Sequence, residues 1–144
     1  MAAQKAKQEG VKFDLIISSP LDRAYDTAQY IAKAQGYPIN NIVVNDQLME
    51  RSFGSLENTS NPTVSAMYRK DETSIDHIDG VEKLADLQAR AQNVLRYIHS
   101  LPQERILIVA HGAFGRALRR AVSNEPVAKK PVVSLPHAEI IKFI

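Results

Sequence analysis

Three side chains in this sequence belong to residue types that handle anions or protons. Arg23 lies in the first turn of a predicted helix, Glu50 lies between apolar neighbours, and His111 directly follows the apolar segment 106–110. A guanidinium and an imidazole neutralise negative charge, and a carboxylic acid can supply a proton to a leaving group. The sequence predicts no metal cluster and no glycine-rich phosphate loop, so this set suits phosphoryl chemistry driven by charge stabilisation.

Residues 14–32 predict the strand–turn–helix unit that would position Arg23. The apolar run 15–17 is typical of a buried strand, and Ser19 followed by Pro20 indicates the start of a helix. A cation in the first turn opposes the helix dipole, unless an anion lies between the guanidinium and the helix N-terminus. The alternative is a solvated Arg23 beside two aspartates.

Residues 105–122 repeat this architecture, with an apolar strand over 106–110 and a helix after the turn at His111. Open α/β sheets bind ligands at the carboxyl ends of their strands, which is where this histidine lies. If the two predicted strands are neighbours, Arg23 and His111 face one crevice, which Glu50 could reach. The alternative is that His111 is structural, as a lone histidine usually is. Three arginines lie outside the apolar face of the second helix and are predicted to be solvated: Arg116, Arg119 and Arg120.

Glu50 precedes Arg51 in an irregular stretch, and two interpretations are open. The two side chains could form a surface ion pair, or the carboxyl group could lie at the mouth of a site and act as a general acid. The polar, weakly periodic residues 55–80 predict a lid-like excursion with one short helix near 64–69. The whole chain, residues 1–144, is predicted to be a single domain.

Composition excludes several classes of function. A formal net charge of +2 over 144 residues does not indicate nucleic-acid binding, and no apolar run is long enough to span a membrane. The chain has no cysteine, so it carries neither a disulfide framework nor a thiol nucleophile, which fits a reducing compartment. Because the amino end shows no signal-peptide pattern, we expect a cytoplasmic protein, and the residue types call for no cofactor.

Four segments resemble, in their order, the motifs of the histidine phosphatase (phosphoglycerate mutase-like) superfamily: SSPLDRAYDTA, LMERSFGSLE, DGVEKL and VAHGAFGRAL. The resemblance covers nearly the whole chain. It implies an α/β fold of three layers, with a mainly parallel central sheet between flanking helices. It also implies a phosphomonoester hydrolase or phosphoryl-transfer domain that acts on a small phosphorylated substrate or binds inorganic phosphate.

The resemblance assigns roles to four residues. Arg23 would bind the phosphoryl group, and His111 would be the second active-site histidine, donating to phosphoryl oxygens. Glu50 would match the proton donor of the family. His137 stands where many members carry an asparagine, and it joins Arg23 and His111 among the residues expected to bind substrate phosphate.

The family's Arg-His-Gly motif is missing from these 144 residues. In intact relatives its histidine attacks phosphorus to form a phosphohistidine, and the motif ends the first, central strand of the sheet. We therefore expect a chain truncated before this strand, as part of a longer protein, by a late gene start or by loss in its lineage. We also expect weak or no turnover, and a second copy could cover the exposed sheet position.

Two other classes of function stay open. A non-catalytic phosphate-binding or regulatory module would keep Arg23 and His111 without a nucleophile. An unrelated nucleotide-binding α/β domain is disfavoured, because no glycine-rich turn follows a predicted strand. The stretch between Glu50 and Gly80 is short, which resembles the compact phosphatases of the family more than its sugar-phosphate mutases.

Overall fold

Three strands and four α-helices organise residues 9–135, the part of the chain that this computed structural model describes. The strands are β1 (Leu15–Ser18), β2 (Val43–Val44) and β3 (Ile106–Val109). The helices are α1 (Asp22–Gln35), α2 (Pro62–Lys70), α3 (Leu84–His99) and α4 (Gly112–Val122). Strands that pair in parallel and are connected through helices define an α/β fold, which confirms the predicted class.

The described residues form two compact units, and the sheet belongs to the first, which comprises residues 9–49 and 96–111. Its strand order is β2-β1-β3, and both pairings are parallel. Ser18 of β1 pairs with Val44 of β2 and with Val109 of β3, so the three strands end at the same level of the sheet. The two strands predicted to precede Arg23 and His111 are therefore neighbours, as the sequence interpretation required.

Apolar residues of β1, β3 and α1 form the core of the first unit. Ile16 is fully buried in the central strand, and the alanines on the inner face of α1 let that helix approach the sheet closely. A fully buried isoleucine or leucine side chain contributes about 2 kcal/mol of transfer free energy. The core consists of Ile16, Ala24, Ala28, Ile31, Ala32, Ile42, Leu107 and Val109.

Helix α1 begins later than the sequence predicts. Ser19 and Pro20 lie in the turn before it, and Leu21 is the N-cap residue without a side-chain cap. The Ser19 hydroxyl nevertheless accepts a backbone N–H, that of Leu21, at 3.2 Å. Gly36 ends the helix with a φ of +67°, the left-handed conformation that glycine adopts without steric cost.

The second unit comprises residues 50–95 and 112–135. Helices α3 and α4 bury apolar faces, and the Gln88 amide of α3 donates to the Ala117 carbonyl of α4 at 3.0 Å. The helix predicted near 64–69 is present as α2. The single-domain organisation with a lid-like excursion stays a prediction.

Residues 55–79 form a segment whose two ends meet, where Gly54 and Gly80 come into close contact. Phe53 and Val81, their neighbours, form an isolated antiparallel bridge. Both glycines have positive φ angles, of 53° and 73°. A Cβ atom on Gly54 would lie 2.3 Å from the carbonyl carbon of Gly80, so a larger residue does not fit there. We call these four residues the neck of this segment.

Glu72 lies at the centre of a buried charged cluster in the second unit. Its carboxylate accepts from Arg116 Nε at 2.8 Å, from Arg120 Nη1 at 2.9 Å and from the Tyr68 hydroxyl at 3.3 Å. The side chains of Arg116 and Arg120 are only 13% and 16% exposed. The prediction that these two arginines are solvated is therefore wrong, whereas Arg119 is exposed as predicted.

Burial raises the pKa of Tyr68 above its ordinary value, because desolvation favours the neutral phenol. Arg116 opposes this rise by favouring the phenolate, and the Glu72 carboxylate adds to it. The neutral hydroxyl also suits the local hydrogen bonds, since it donates to Glu72 and accepts from Arg116 Nη2 at 2.7 Å. Tyr68 thereby connects α2 to the charged cluster.

Candidate functional site

The carboxyl ends of β1 and β3 lie side by side, and the residues that follow these strands meet. Nε2 of His111 lies 2.8 Å from Oγ of Ser19, which is hydrogen-bond distance. The Ser19 N–H also donates to the Val109 carbonyl at 2.9 Å, so the backbone joins the same two segments. His111 therefore lies at the strand end where the sequence places it, in contact with the turn that leads to Arg23.

Ser19 is the residue of this site that the sequence analysis missed as a partner of His111. It is fully buried, and its hydroxyl contacts the Leu21 N–H as well as the imidazole. The signal in the sequence was indirect. A serine that follows one buried strand can contact a histidine that follows another strand only if the two strands pair in register. The pairing of Ser18 with Val109 supplies that register.

Arg23 lies in the first turn of α1 and is exposed. Its guanidinium forms no hydrogen bond and no ion pair with any residue from 9 to 135, and its backbone carbonyl accepts from the Thr27 hydroxyl. The two nearby aspartates, Asp22 and Asp26, therefore do not hold it. An unpaired cation in the first turn costs about 0.3–1 kcal/mol against the helix dipole, a cost that a bound anion would remove.

Glu50 belongs to the second unit, and its carboxylate binds the first turn of α4. Oε2 accepts from the Ala113 N–H at 3.2 Å, while Oε1 accepts from the N–H groups of Phe114 at 3.1 Å and Arg51 at 2.9 Å. First-turn N–H groups lack helical acceptors, and the helix dipole favours negative charge near them. Oε1 thus uses both of its lone pairs, whereas these contacts leave one lone pair on Oε2.

The surface ion pair between Glu50 and Arg51 does not form. The Arg51 side chain is 0% exposed, and its Nη2 pairs with Asp76 Oδ1 at 2.6 Å. Its Nη1 and Nε donate to the backbone carbonyls of Glu72 and Glu82 at 2.9 Å and 2.8 Å. Of the two interpretations of Glu50, the structure removes the ion pair and leaves the general acid as a prediction.

A cavity of about 480 Å³ lies within the second unit. Its walls include Phe53, Val64 and Tyr68 together with hydroxyl and amide groups, and Glu57 is its charged lining residue. Among residues 9–135, no arginine, lysine or histidine lines it. Because a phosphate group requires compensating positive charge when it leaves water, this cavity is a poor candidate for phosphate binding.

Two kinds of feature are absent from residues 9–135. These residues contain no group of three histidine, cysteine, aspartate or glutamate side chains placed to hold a metal ion. Within the same part of the chain, no helix is both long enough and apolar enough to cross a membrane. His137, the fourth residue predicted for the site, lies outside the described residues.

The sequence motifs and the geometry at the strand ends agree with the family that comparison with known proteins identifies. The chain belongs to the histidine phosphatase superfamily (branch 1), whose family profile matches residues 1–143. It is 32% identical over 133 residues to the 2,3-bisphosphoglycerate-dependent phosphoglycerate mutase of Bartonella tribocorum, a match that covers 85% of this chain and 64% of the mutase. The family predicted from the motifs is thereby confirmed.

Solved structures of a mycobacterial glucosyl-3-phosphoglycerate phosphatase share the fold. Its complex with VO3 matches 88% of this chain and 65% of the phosphatase, with a TM-score of 0.73 and 28% identity. Its complex with inorganic phosphate matches 88% of this chain and 66% of the phosphatase, with a TM-score of 0.70 and 27% identity. The chain thus spans less than two-thirds of the length of the mutase relative and about two-thirds of the phosphatase.

Proposed function

We propose that this chain takes part in phosphoryl transfer of the histidine phosphatase type and binds phosphate through Arg23 and His111. The observation that carries the proposal is the meeting of the two turns, in which His111 lies 2.8 Å from Ser19 at the ends of adjacent parallel strands. The complexes of the related phosphatase with VO3 and inorganic phosphate support the same ligand chemistry here. The substrate class is a small phosphomonoester.

Each of the two residues supplies a different kind of donor. The Arg23 guanidinium presents several N–H groups in a planar fork that matches phosphate oxygens, and it has no ion pair within residues 9–135 to break first. The His111 imidazole supplies one further N–H. Both donors would neutralise charge that builds up on the transferring group, which is the main source of catalysis in phosphoryl transfer.

Glu50 is proposed to protonate the leaving oxygen, the role that the family resemblance assigns to it. Three N–H groups fix its carboxylate, and Oε2 is the oxygen that retains a lone pair. The proton for the leaving group would therefore be carried on Oε2, while Oε1 stays bound to the backbone. The N–H contacts supply the orientation that general acid catalysis requires.

The Arg-His-Gly motif occurs nowhere in the 144 residues, so the sequence offers no counterpart to the histidine that forms the phosphohistidine in intact relatives. We propose that this chain by itself binds phosphate with weak or no turnover. A non-catalytic phosphate-binding or regulatory module is the second candidate, and the same observation favours it. We also propose that the chain is cytoplasmic. We propose further that it forms a homo-oligomer, in which a second copy covers an exposed position of the sheet.

Binding and turnover are tested separately. Inorganic phosphate or vanadate, titrated into the 144-residue chain and followed by NMR, should bind, and Arg23→Ala should weaken binding by about tenfold or more, since charge-assisted hydrogen bonds are lost. Arg105→Ala is the matched control, because Arg105 is another exposed arginine of the first unit, with 61% of its side chain accessible. Equal binding by both variants would refute the assignment of Arg23.

Turnover is measured as hydrolysis of a generic aryl phosphate by the wild type, Glu50→Gln and His111→Ala. The exposed His99, replaced by alanine, serves as the control for His111. We expect little hydrolysis by the wild-type chain. Robust hydrolysis that is lost in Glu50→Gln and His111→Ala but kept in His99→Ala would overturn the proposed weak turnover and establish a complete enzyme.

A further inference from the structure

We propose that a gap beside Gly112 binds the alcohol oxygen of the substrate, with Nη1 of Arg116 as its hydrogen-bond donor and Oε2 of Glu50 as its proton partner. All three residues belong to the second unit. A Cβ atom placed on Gly112 would lie 3.5 Å from Nη1 and 3.9 Å from Oε2, so both polar atoms border the same small space. The gap follows from this geometry, whereas the identity of its ligand rests on the proposed function.

Neither the backbone nor steric crowding requires a glycine at position 112. Gly112 begins α4, and its φ angle is not positive, unlike those of Gly54 and Gly80. The two distances from its Cβ position are ordinary van der Waals separations, so alanine fits there without displacing a neighbour. Because glycine stabilises a helix less well than alanine does, Gly112 carries a local cost. Its effect on this part of the molecule is to leave the space between Nη1 and Oε2 open.

Nη1 is the nitrogen of the Arg116 guanidinium that the charged cluster does not use. Nε donates to Glu72 at 2.8 Å and Nη2 donates to the Tyr68 hydroxyl at 2.7 Å, and these contacts fix the plane of the guanidinium. Within residues 9–135, Nη1 has no hydrogen-bond partner, and it is not one of the fully enclosed side-chain atoms that lack one. Arg116, only 13% exposed, therefore presents an accessible and well-oriented donor at the gap.

Glu50 supplies an acceptor at the same gap. Its Oε1 accepts from two N–H groups, whereas Oε2 accepts from the Ala113 N–H at 3.2 Å and keeps one lone pair. No ion pair within residues 9–135 joins Glu50 to Arg116, so neither charge occupies the other. The N–H groups of Ala113 and Phe114 at the start of α4 are already bound to the carboxylate. The atoms that would hold a ligand are therefore the two side-chain atoms, Nη1 and Oε2.

A donor and an acceptor that border one space are complementary to a hydroxyl group. A hydroxyl oxygen accepts from Nη1 while its hydrogen is donated to Oε2, whereas a carboxylate cannot donate and an ammonium group cannot accept. An apolar group would remove water from the guanidinium without replacing its hydrogen bond. Because Oε2 is the proposed proton donor, the hydroxyl is that of the leaving alcohol. In the bound phosphomonoester its oxygen accepts from both side chains, and as the free alcohol it donates to Oε2.

Glycerol and glycerol 1-phosphate test the gap, because they share one alcohol and only the second carries a phosphate. Carbon-13 NMR of the labelled 144-residue chain follows the carboxyl carbon of Glu50 and the guanidinium carbon of Arg116. Each probe should shift both signals in the wild type. Gly112→Ala should weaken the binding of glycerol 1-phosphate by about tenfold or more and abolish the shifts that glycerol causes, because its methyl group fills the gap.

Gly115→Ala is the matched control. Gly115 lies in the same helix and its φ angle is not positive either, but its added Cβ would contact the flexible side chain of Leu135, at 3.0 Å. Its replacement should leave both titrations unchanged. The inference is overturned if neither probe moves the Glu50 and Arg116 signals of the wild type, or if folded Gly112→Ala responds as the wild type does. The wild-type titrations decide it even if Gly112→Ala does not fold.

The guanidinium signal of Arg23 in the same spectra separates this inference from the proposed function. If glycerol 1-phosphate moves the signals of Glu50 and Arg116 but not that of Arg23, the gap stands and the proposed phosphate site fails. If it moves the signal of Arg23 alone, and glycerol moves none of the three, phosphate binding stands and the gap fails.

Discussion

Replacing Glu72 with glutamine should destabilise the second unit strongly. Glu72 is the carboxylate that Arg116 and Arg120 share, at 2.8 Å and 2.9 Å, and all three side chains are largely buried, with 6%, 13% and 16% exposed. Counting Arg51 and its partner Asp76, the cluster holds three guanidinium groups and two carboxylates. Glutamine keeps the shape of the side chain but leaves one carboxylate to balance three cations.

The expected cost follows from the burial of these groups. Removing one partner of a buried ion pair costs about 3–5 kcal/mol, and the lower end applies here because glutamine retains one carbonyl acceptor. A domain of this size has a free energy of unfolding of about 5–15 kcal/mol, so the change is a large fraction of the total. With a urea m-value of about 2 kcal/mol/M, the unfolding midpoint should fall by about 1.5 M.

Urea denaturation followed by circular dichroism measures this change, and Glu125→Gln is its control. Glu125 pairs with Lys130 at 4.0 Å, but these side chains are 52% and 60% exposed, so its replacement should move the midpoint very little. A Glu72→Gln variant as stable as Glu125→Gln would refute the reasoning, because the guanidinium groups would then be adequately solvated without their carboxylate.

Three further changes probe the tyrosine in this cluster, the neck and the first turn of α4. Tyr68→Phe should lower the free energy of unfolding by about 1 kcal/mol at neutral pH. It should also reduce the further loss of stability that the wild type shows as the pH becomes alkaline. The pKa of Tyr68 is raised in the folded chain, so the stabilisation that Tyr68 provides is fully present below the pKa of unfolded tyrosine, about 10. This stabilisation is lost as the pH rises through the folded pKa. Urea unfolding midpoints of the wild type and Tyr68→Phe, measured from about pH 8 to about pH 11, test this. Gly54→Ala should cost about 2 kcal/mol or more in urea unfolding, because its Cβ would lie 2.3 Å from the backbone of Gly80. Glu50→Ala should cost about 1 kcal/mol in the same assay, since it leaves first-turn N–H groups without their acceptor.

Each of these predictions has an outcome that would contradict it. An alkaline profile of Tyr68→Phe parallel to that of the wild type would show that Tyr68 does not cause the loss. Gly36→Ala is the control for Gly54→Ala, because Gly36 has a similar φ of +67°, but apart from its neighbours along the chain no atom of residues 9–135 lies within 4 Å of its added Cβ. Equal losses at the two glycines would exclude a steric effect at the neck. Glu50→Gln should fall between Glu50→Ala and the wild type; a loss equal to that of Glu50→Ala would show that the retained acceptor contributes nothing.

Local patterns in the sequence were sufficient to locate the two strands that precede Arg23 and His111, but not to show that these strands pair. The buried run 15–17 and the segment 106–110 were predicted as strands from their apolar composition and their boundaries, and both are strands that end beside one another. His111 was placed at a strand end because a turn and a helical pattern follow it. These features depend on neighbours along the chain, which a single sequence displays.

The contacts that the sequence did not reveal join residues far apart in the chain. Arg116 pairs with Glu72, 44 positions away, and His111 contacts Ser19, 92 positions away. A helical pattern identifies which side of α4 lies off its apolar stripe, but it does not show whether a carboxylate from another segment covers that side. The contacts of Arg116 and Ser19 therefore became visible only with the pairing of distant segments.

The neck gives residues 55–61, which precede α2, freedom to change in length. Gly54 and Gly80 touch and their neighbours are bridged, so the two ends of the segment 55–79 meet at a fixed spacing. Insertions or deletions before α2 would change the length of a closed loop without pulling on the chain at either end, whereas Tyr68, Glu72 and Asp76 hold the rest of the segment in the charged cluster. The glycine pair thus lets an exposed loop vary in length on a constant scaffold.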